Sequence, residues 1–219
     1  MKRLLCLLSI LGLAGCGASL FQSRTPVPSV YLLSASGAPP GAAPAAAPAA
    51  DLAVLKPRVR TGLDTDLIAV LYPDRRLDYF AAARWSGPLD EVIQDLAVQA
   101  FRTRSRLRDV HTDASAFGRA YWLEIDVADF QAEYAAGAAD GAGAADSAVA
   151  PTVHVHLLAR VGSSGDRRVL GLFDADRRQP AAQNRLTAIV EAYNQAVDAA
   201  LGQIVDDTVA TLNRSSEPR

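Results

Sequence analysis

The stretch Tyr121-Trp122-Leu123-Glu124-Ile125-Asp126-Val127 alternates strictly, with Tyr121, Leu123, Ile125 and Val127 on one side and Glu124 and Asp126 on the other. A second run, Thr152-Val153-His154-Val155-His156-Leu157-Leu158-Ala159-Arg160-Val161, sets Val153, Val155, Leu157, Ala159 and Val161 against His154, His156 and Arg160. A period of two residues marks a strand. Apolar residues on one side only mean a sheet covered on one face, as antiparallel sheets commonly are. Gly162-Ser163-Ser164-Gly165 then turns the chain into a further strand over 168–173.

Outward from these strands the periodicity changes. Residues 66–72 read D-L-I-A-V-L-Y, a continuous apolar run expected to form a strand buried on both faces, with shorter strands at 52–55 and 77–80. Over 88–101, Leu89, Val92, Ile93, Leu96, Ala100 and Phe101 recur at three and four, which predicts a helix with one packing face. Pro88 suits its first turn, and Ser86 is placed to help cap it. The longest periodic element covers 186–212, about 40 Å if unbroken at 1.5 Å per residue, with Leu186, Ile189, Tyr193, Val197, Leu201, Ile204, Val209 and Leu212 along one side. Strands, a helix, strands and a long helix predict an α+β domain, a mostly antiparallel sheet with two main helices packed on one face.

Composition narrows the function. The 219 residues carry 22 Lys plus Arg against 24 Asp plus Glu, a net charge of -2, which lacks the basic excess of a dedicated nucleic-acid binder. Half of the residues are apolar, but much of this is alanine in two biased tracts. Residues 36–50 read S-G-A-P-P-G-A-A-P-A-A-A-P-A-A, an extended spacer, and 135–150 form an Ala-Gly loop in which Gly137, Gly141 and Gly143 oppose a helix.

The amino terminus reads as a targeting signal. Lys2 and Arg3 precede an apolar run over 4–13 that is too short to span a bilayer. Leu13-Ala14-Gly15-Cys16 matches the bacterial lipobox, with the small Ala14 and Gly15 suited to a signal-peptidase pocket and the Cys16 thiol to acylation. Cys6 would leave with the signal, so Cys16 would be the lone thiol of the mature chain, where no internal disulfide can form. The expected organisation is a signal peptide at 1–15, a tether at 16–29, a folded domain at 30–213 with 36–50 and 135–150 as flexible insertions, and a disordered tail at 214–219. Without residues 1–15 the balance is 20 positive against 24 negative, so the anchor rather than the surface would supply membrane contact.

For chemistry, His154 and His156 are the sharpest candidates. Two apart on a strand, they share a face that Glu124 or Asp126 of another strand could complete as a metal site. The competing reading is a polar, solvent-facing strand surface. With His111 the only other histidine, we assign no metal and no cofactor. Asp174 and Asp176 beside Arg177 and Arg178 read as a charged strand end. The sequence contains no G-x-S-x-G, no G-x-x-x-x-G-K-[ST] and no H-E-x-x-H, so no enzyme is expected.

Taken together, the lipobox, Tyr31-Leu32-Leu33, Leu52-Ala53-Val54, Leu77-Asp78-Tyr79, Arg84-Trp85-Ser86-Gly87-Pro88-Leu89, Tyr121-Trp122-Leu123-Glu124-Ile125 and the carboxy-terminal helix resemble the ABC-type transport auxiliary lipoprotein family. These are the PqiC-type lipoproteins that accompany MCE-domain transport systems. The stretch 85–89 is the most specific match; the two alanine-rich tracts are departures. The resemblance implies a non-catalytic, periplasm-facing outer-membrane lipoprotein anchored through Cys16, and Gly17 fits that family's outer-membrane sorting. It would serve an ABC transporter moving lipids or hydrophobic molecules, with an MCE protein as direct partner and the permease and ATPase as indirect ones. Tyr31, Arg84, Trp85, Pro88 and Leu89 are its candidate signature or partner-contact residues, and a homo-oligomeric ring would suit a conduit that needs a collar. Two alternatives stay open, a stand-alone envelope lipoprotein that binds a lipid or sugar or assists outer-membrane assembly, and a metal-dependent enzyme at His154 and His156.

Overall fold

The structure, a computed structural model, describes residues 27–35, 50–112, 120–135 and 149–216. Leu13, Ala14, Gly15 and Cys16, most of the tether, and residues 36–49 and 136–148 of the two tracts lie outside the described residues. In chain order the elements are β1 (Ser29–Tyr31), β2 (Asp51–Val54), β3 (Arg58–Val59), β4 (Leu67–Leu71), β5 (Leu77–Trp85), α1 (Leu89–Arg104), β6 (Asp109–Thr112), β7 (Tyr121–Glu133), β8 (Thr152–Ser163), β9 (Val169–Pro180) and α2 (Leu186–Ser216).

The α+β architecture is built on β7. One edge of β7 pairs antiparallel with β8 along its whole length, and β8 pairs antiparallel with β9. The other edge receives β2, β3 and β4 in succession, each parallel to it, with Leu52 opposite Tyr121, Arg58 opposite Asp126 and Val70 opposite Ala132. β6 extends the sheet beside β2, while β5 and then β1 extend it beside β4. The long ladders are antiparallel, as expected; the short parallel pairings were not. Each parallel partner contributes only two to four paired residues, too few to show a period in the sequence.

A bulge lets β7 run to Glu133 and not stop at Val127. Leu123, Ile125 and Val127 are buried, and simple alternation would next turn Asp129 and Gln131 inward. The register shifts between Val127 and Asp129, so Phe130 and Ala132 face the core instead. β5 is lengthened in the same way: its register against β4 shifts between Leu67 and Ala69, and Ala82 adopts a left-handed φ of 52°.

Both helices cover the face that carries these apolar rows. α2 presents Ile189, Tyr193, Val197, Leu201, Ile204 and Val205 to the row Val153, Val155, Leu157, Ala159 and Val161 of β8, all buried. It continues through Ser216, into the segment expected to be a tail from Arg214 onward. α1 buries Leu89, Ile93, Leu96, Ala97 and Phe101, and Arg104 at its end donates to Asp198 of α2 at 2.5 Å. Ser86 does not cap α1. Pro88 holds the N-cap position, one residue earlier than expected, with no side-chain capping bond, and the amide of Leu89 donates to the Thr65 carbonyl at 3.2 Å. On the free edge of β9, Gln203 donates to the Asp174 carbonyl at 3.1 Å and Arg177 to the Asp176 carbonyl at 2.8 Å, which blunts an otherwise open strand edge.

The largest side chains meet at the centre. Trp85 stands edge-to-face to Tyr193 at 5.1 Å and to Phe130 at 6.0 Å, and Phe130 lies against Tyr193 at 5.0 Å. The Tyr193 hydroxyl donates to the Ala69 carbonyl at 3.0 Å, and burial pushes its pKa well above the ordinary value. Truncating Trp85→Ala is expected to cost about 3–5 kcal/mol in chemical denaturation, because it opens a cavity among three rings. Tyr193→Phe is expected to cost about 1–3 kcal/mol by orphaning a buried carbonyl. Because the folded-state pKa of Tyr193 is raised, its contribution is complete below pH ~10 and declines as the pH rises toward the folded value. Melting curves should therefore show a steeper alkaline loss in the wild type than in Tyr193→Phe.

Candidate functional site

Two surfaces carry the residues singled out in the sequence. The first is the corner where β1 meets β5. Register sets Tyr31 opposite Trp85 and Val30 opposite Arg84, and Pro88 and Leu89 follow directly at the start of α1. The five signature residues are thus gathered at one corner, but they do different things. Trp85 and Leu89 are buried, and the Trp85 amide donates to the Asp66 carbonyl at 2.7 Å. Tyr31 packs half-buried against the core. Arg84 stays partly exposed and pairs with Asp66 at 3.1 Å.

Beside this corner lies an open cleft of about 240 Å³, bounded by Leu32 and Leu33, by Ser86 and Gly87, and by Glu91, Val92, Asp95, Leu96 and Gln99 of α1. Val30 of the edge strand and Leu32 just beyond its end are largely exposed. Glu91, Asp95 and Gln99 recur every four residues, so they form one exposed stripe along the cleft. The arrangement offers apolar and acidic contact surface to a partner.

The second surface is the open face of the sheet, opposite the helices. Its upper half holds Glu124 and Asp126 between two arginines, with Arg58 at 2.7 Å from both carboxylates and Arg160 at 2.8 Å from Glu124. Its lower half collects Asp129, Gln131 and Glu133 of β7, His154 and His156 of β8, and Asp174, Asp176 and Arg178 of β9. Here the expectation of a solvent-facing histidine pair needs correction. His154 is only 6% exposed, because Glu133, Asp176 and Arg178 close around it from the neighbouring strands. His156 stays more open, and the two rings stack at 6.2 Å.

Glu124 and Asp126, the oxygen donors anticipated for these histidines, pair with Arg58 and Arg160 instead. Asp129 and Glu133 stand in their place, and neither was singled out from the sequence because only the bulge turns them outward. Gln131, buried, donates to Asp129 and to Glu133 at 3.0 Å each and fixes both carboxylates. Burial alone would raise the Glu133 carboxyl, but hydrogen bonds from Gln131, Arg178 and His154 outweigh it and hold the group below its ordinary range. Asp174 and Asp176, read as a charged strand end, reach across to His156 and His154 at 2.9 Å each.

The corner yields a clean separation of roles. Arg84→Gln breaks only a partly exposed ion pair and is expected to shift stability by less than about 1 kcal/mol, far below Trp85→Ala in the same denaturation experiment. Loss of partner binding in a stably folded Arg84→Gln protein would mark contact, whereas loss on Trp85→Ala would mark folding.

Among curated proteins no relative matches the chain. Solved structures share the fold: a protein of the DUF330 family model from Xanthomonas campestris superposes with a TM-score of 0.74 at 23% identity, covering 87% of this chain and 99% of its own. An uncharacterised protein follows at 0.61 and 14%, covering 84% and 99%. The PelC dodecamer of Paraburkholderia phytofirmans reaches 0.41 and 14% over 76% and 93%, too distant to bear on assembly. Among the described residues no helix is long and apolar enough to cross a membrane. A family model described as the ABC-type transport auxiliary lipoprotein component matches residues 31–205, from the edge strand that carries Tyr31 to the third quarter of α2, and the chain belongs to that family.

Proposed function

We propose that this chain is a non-catalytic outer-membrane lipoprotein, the auxiliary component of an MCE-type ABC transporter that moves lipids or other hydrophobic molecules across the periplasm. The observation that carries the reading is the family match over residues 31–205, joined to a lipobox that ends at Cys16. Acylated Cys16 holds the domain at the membrane. Twelve residues lie between Cys16 and the start of β1 at Ser29, a reach of at most about 45 Å for an extended chain. The corner of Tyr31 and Arg84, with its acidic and apolar cleft, meets the MCE protein, while the permease and ATPase act from the inner membrane. The cleft, about 240 Å³ and open, falls below the roughly 300–1,000 Å³ of ligand pockets, which favours a partner surface over capture of a free lipid.

Globomycin is expected to accumulate the uncleaved precursor, and Cys16→Ala to move the protein from the membrane to the soluble fraction; unchanged processing sinks the anchor. Affinity purification of the native lipoprotein is expected to recover an MCE protein, a permease and an ATPase. Recovery of a lone chain carrying bound lipid would replace this reading with the stand-alone lipoprotein.

A further inference from the structure

We infer that Asp129, His154 and His156, with Glu133, form a binding site for a divalent cation of the zinc class on the open face of the sheet. This goes beyond the transport reading and does not rest on it. Three observations converge. The first is the direction of the imidazole nitrogens. Nε2 of His154 lies 2.9 Å from Asp176 and Nε2 of His156 lies 2.9 Å from Asp174, so both rings turn that edge to β9. Both Nδ1 atoms consequently face β7, that of His154 at 2.9 Å from Glu133 and that of His156 at 3.6 Å from Asp129. A carboxylate that accepts from one ring nitrogen leaves the other nitrogen's lone pair for a metal, the usual arrangement of metal-bound histidine. One donor atom from each of Asp129, His154 and His156 fits within a span of 4.8 Å. Two imidazoles and one or two carboxylates are a donor set that suits zinc and its neighbours.

The second observation is the crowding of polar groups at Nδ1 of His154. Arg178 places Nη2 at 3.1 Å from Nδ1 of His154 and Nη1 at 2.6 Å from Glu133. A guanidinium only donates, so in the tautomer that leaves Nδ1 unprotonated this nitrogen accepts from Arg178. The Glu133 oxygen at 2.9 Å meets the same nitrogen with a lone pair of its own. When Nδ1 carries the proton it donates to Glu133, and a divalent cation would take that proton's place between the two; the Arg178 guanidinium covers the position only from one side.

The third is local charge. The ion pairs of the upper half match two carboxylates with two arginines. In the lower half Asp129, Glu133, Asp174 and Asp176 face two arginines, Arg60 and Arg178, and the two histidines, so with neutral imidazoles there is a deficit of two positive charges among the described residues. One divalent cation removes it. Gln131 is the positioning residue, since its amide holds both β7 carboxylates.

The test uses untagged full-length lipoprotein in detergent, stripped with EDTA and titrated with Co²⁺ by visible absorption, then with Zn²⁺ in competition. One Co²⁺ per chain, displaced by Zn²⁺, is expected. His156→Gln and Asp129→Asn, both at partly exposed positions, are expected to weaken binding by about tenfold or more, and Asp174→Asn, which only orients a ring, by roughly 10–100-fold. Arg178→Gln is expected to tighten it, because a competing charge is removed. Thermal melts of the stripped variants verify that each is folded. Substoichiometric Co²⁺ in the wild type, or affinity unchanged by both His156→Gln and Asp129→Asn, overturns the site and leaves the histidine pair balanced by protons.

Discussion

β7 has to satisfy two faces at once, and one extra residue within it makes that compatible with its sequence. From Tyr121 to Val127 the strand buries every second side chain, and without the register shift before Asp129 the remaining six residues would turn carboxylates and an amide into the core. Desolvating such groups without partners costs several kcal/mol each. The bulge instead buries Phe130 and Ala132 and delivers Asp129, Gln131 and Glu133 to the open face. The neighbouring strands then follow. β8 stays paired on one edge across the shift, its register slipped by one residue, and the other edge is divided among β2, β3 and β4, which run beside β7 as pieces of one interrupted strand.

Phe130, placed inward by that bulge, joins Trp85 and Tyr193 in the cluster that ties β5, β7 and α2 together. This explains the signature at residues 84–89 in physical terms. Trp85 ends β5 inside the core, while Arg84, one residue earlier, faces out and is held by Asp66. Two residues past Trp85 the chain turns, Pro88 starts α1, and Leu89 returns to the core. A motif of six residues thus makes a buried anchor and an outward contact from adjacent positions. It also sets one wall of the cleft that faces Glu91 and Asp95.

The open face is an ionic surface whose two halves are balanced differently. Exposed ion pairs contribute little singly, and Arg58, Arg160, Glu124 and Asp126 close their charges among themselves. The lower half closes only through its two histidines. His154 is buried there only because carboxylates of both neighbouring strands reach its ring nitrogens, so its surroundings are supplied by residues more than twenty positions away in the chain.

Periodicity alone determined the long elements: the two alternating strands, the apolar run at β4, both helices and hence the α+β class, since each spans enough residues to show a period of two or of three and four. Local sequence also singled out Cys16, Trp85 and the histidine pair, and motif resemblance carried the family. Tertiary structure decided the rest. β1, β3 and β6 have two to four residues each and exist as strands only beside a partner. The lengths of β5 and β7 depend on bulges, which show themselves only when a facing strand supplies the register. The polar face needed the same information. His154 and His156 were visible as a pair, but Glu124 and Asp126 seemed their natural companions until the extra residue in β7 brought Asp129 and Glu133 forward. Side-chain periodicity is a property of one strand, whereas register is a property of two, and only the folded sheet contains the second.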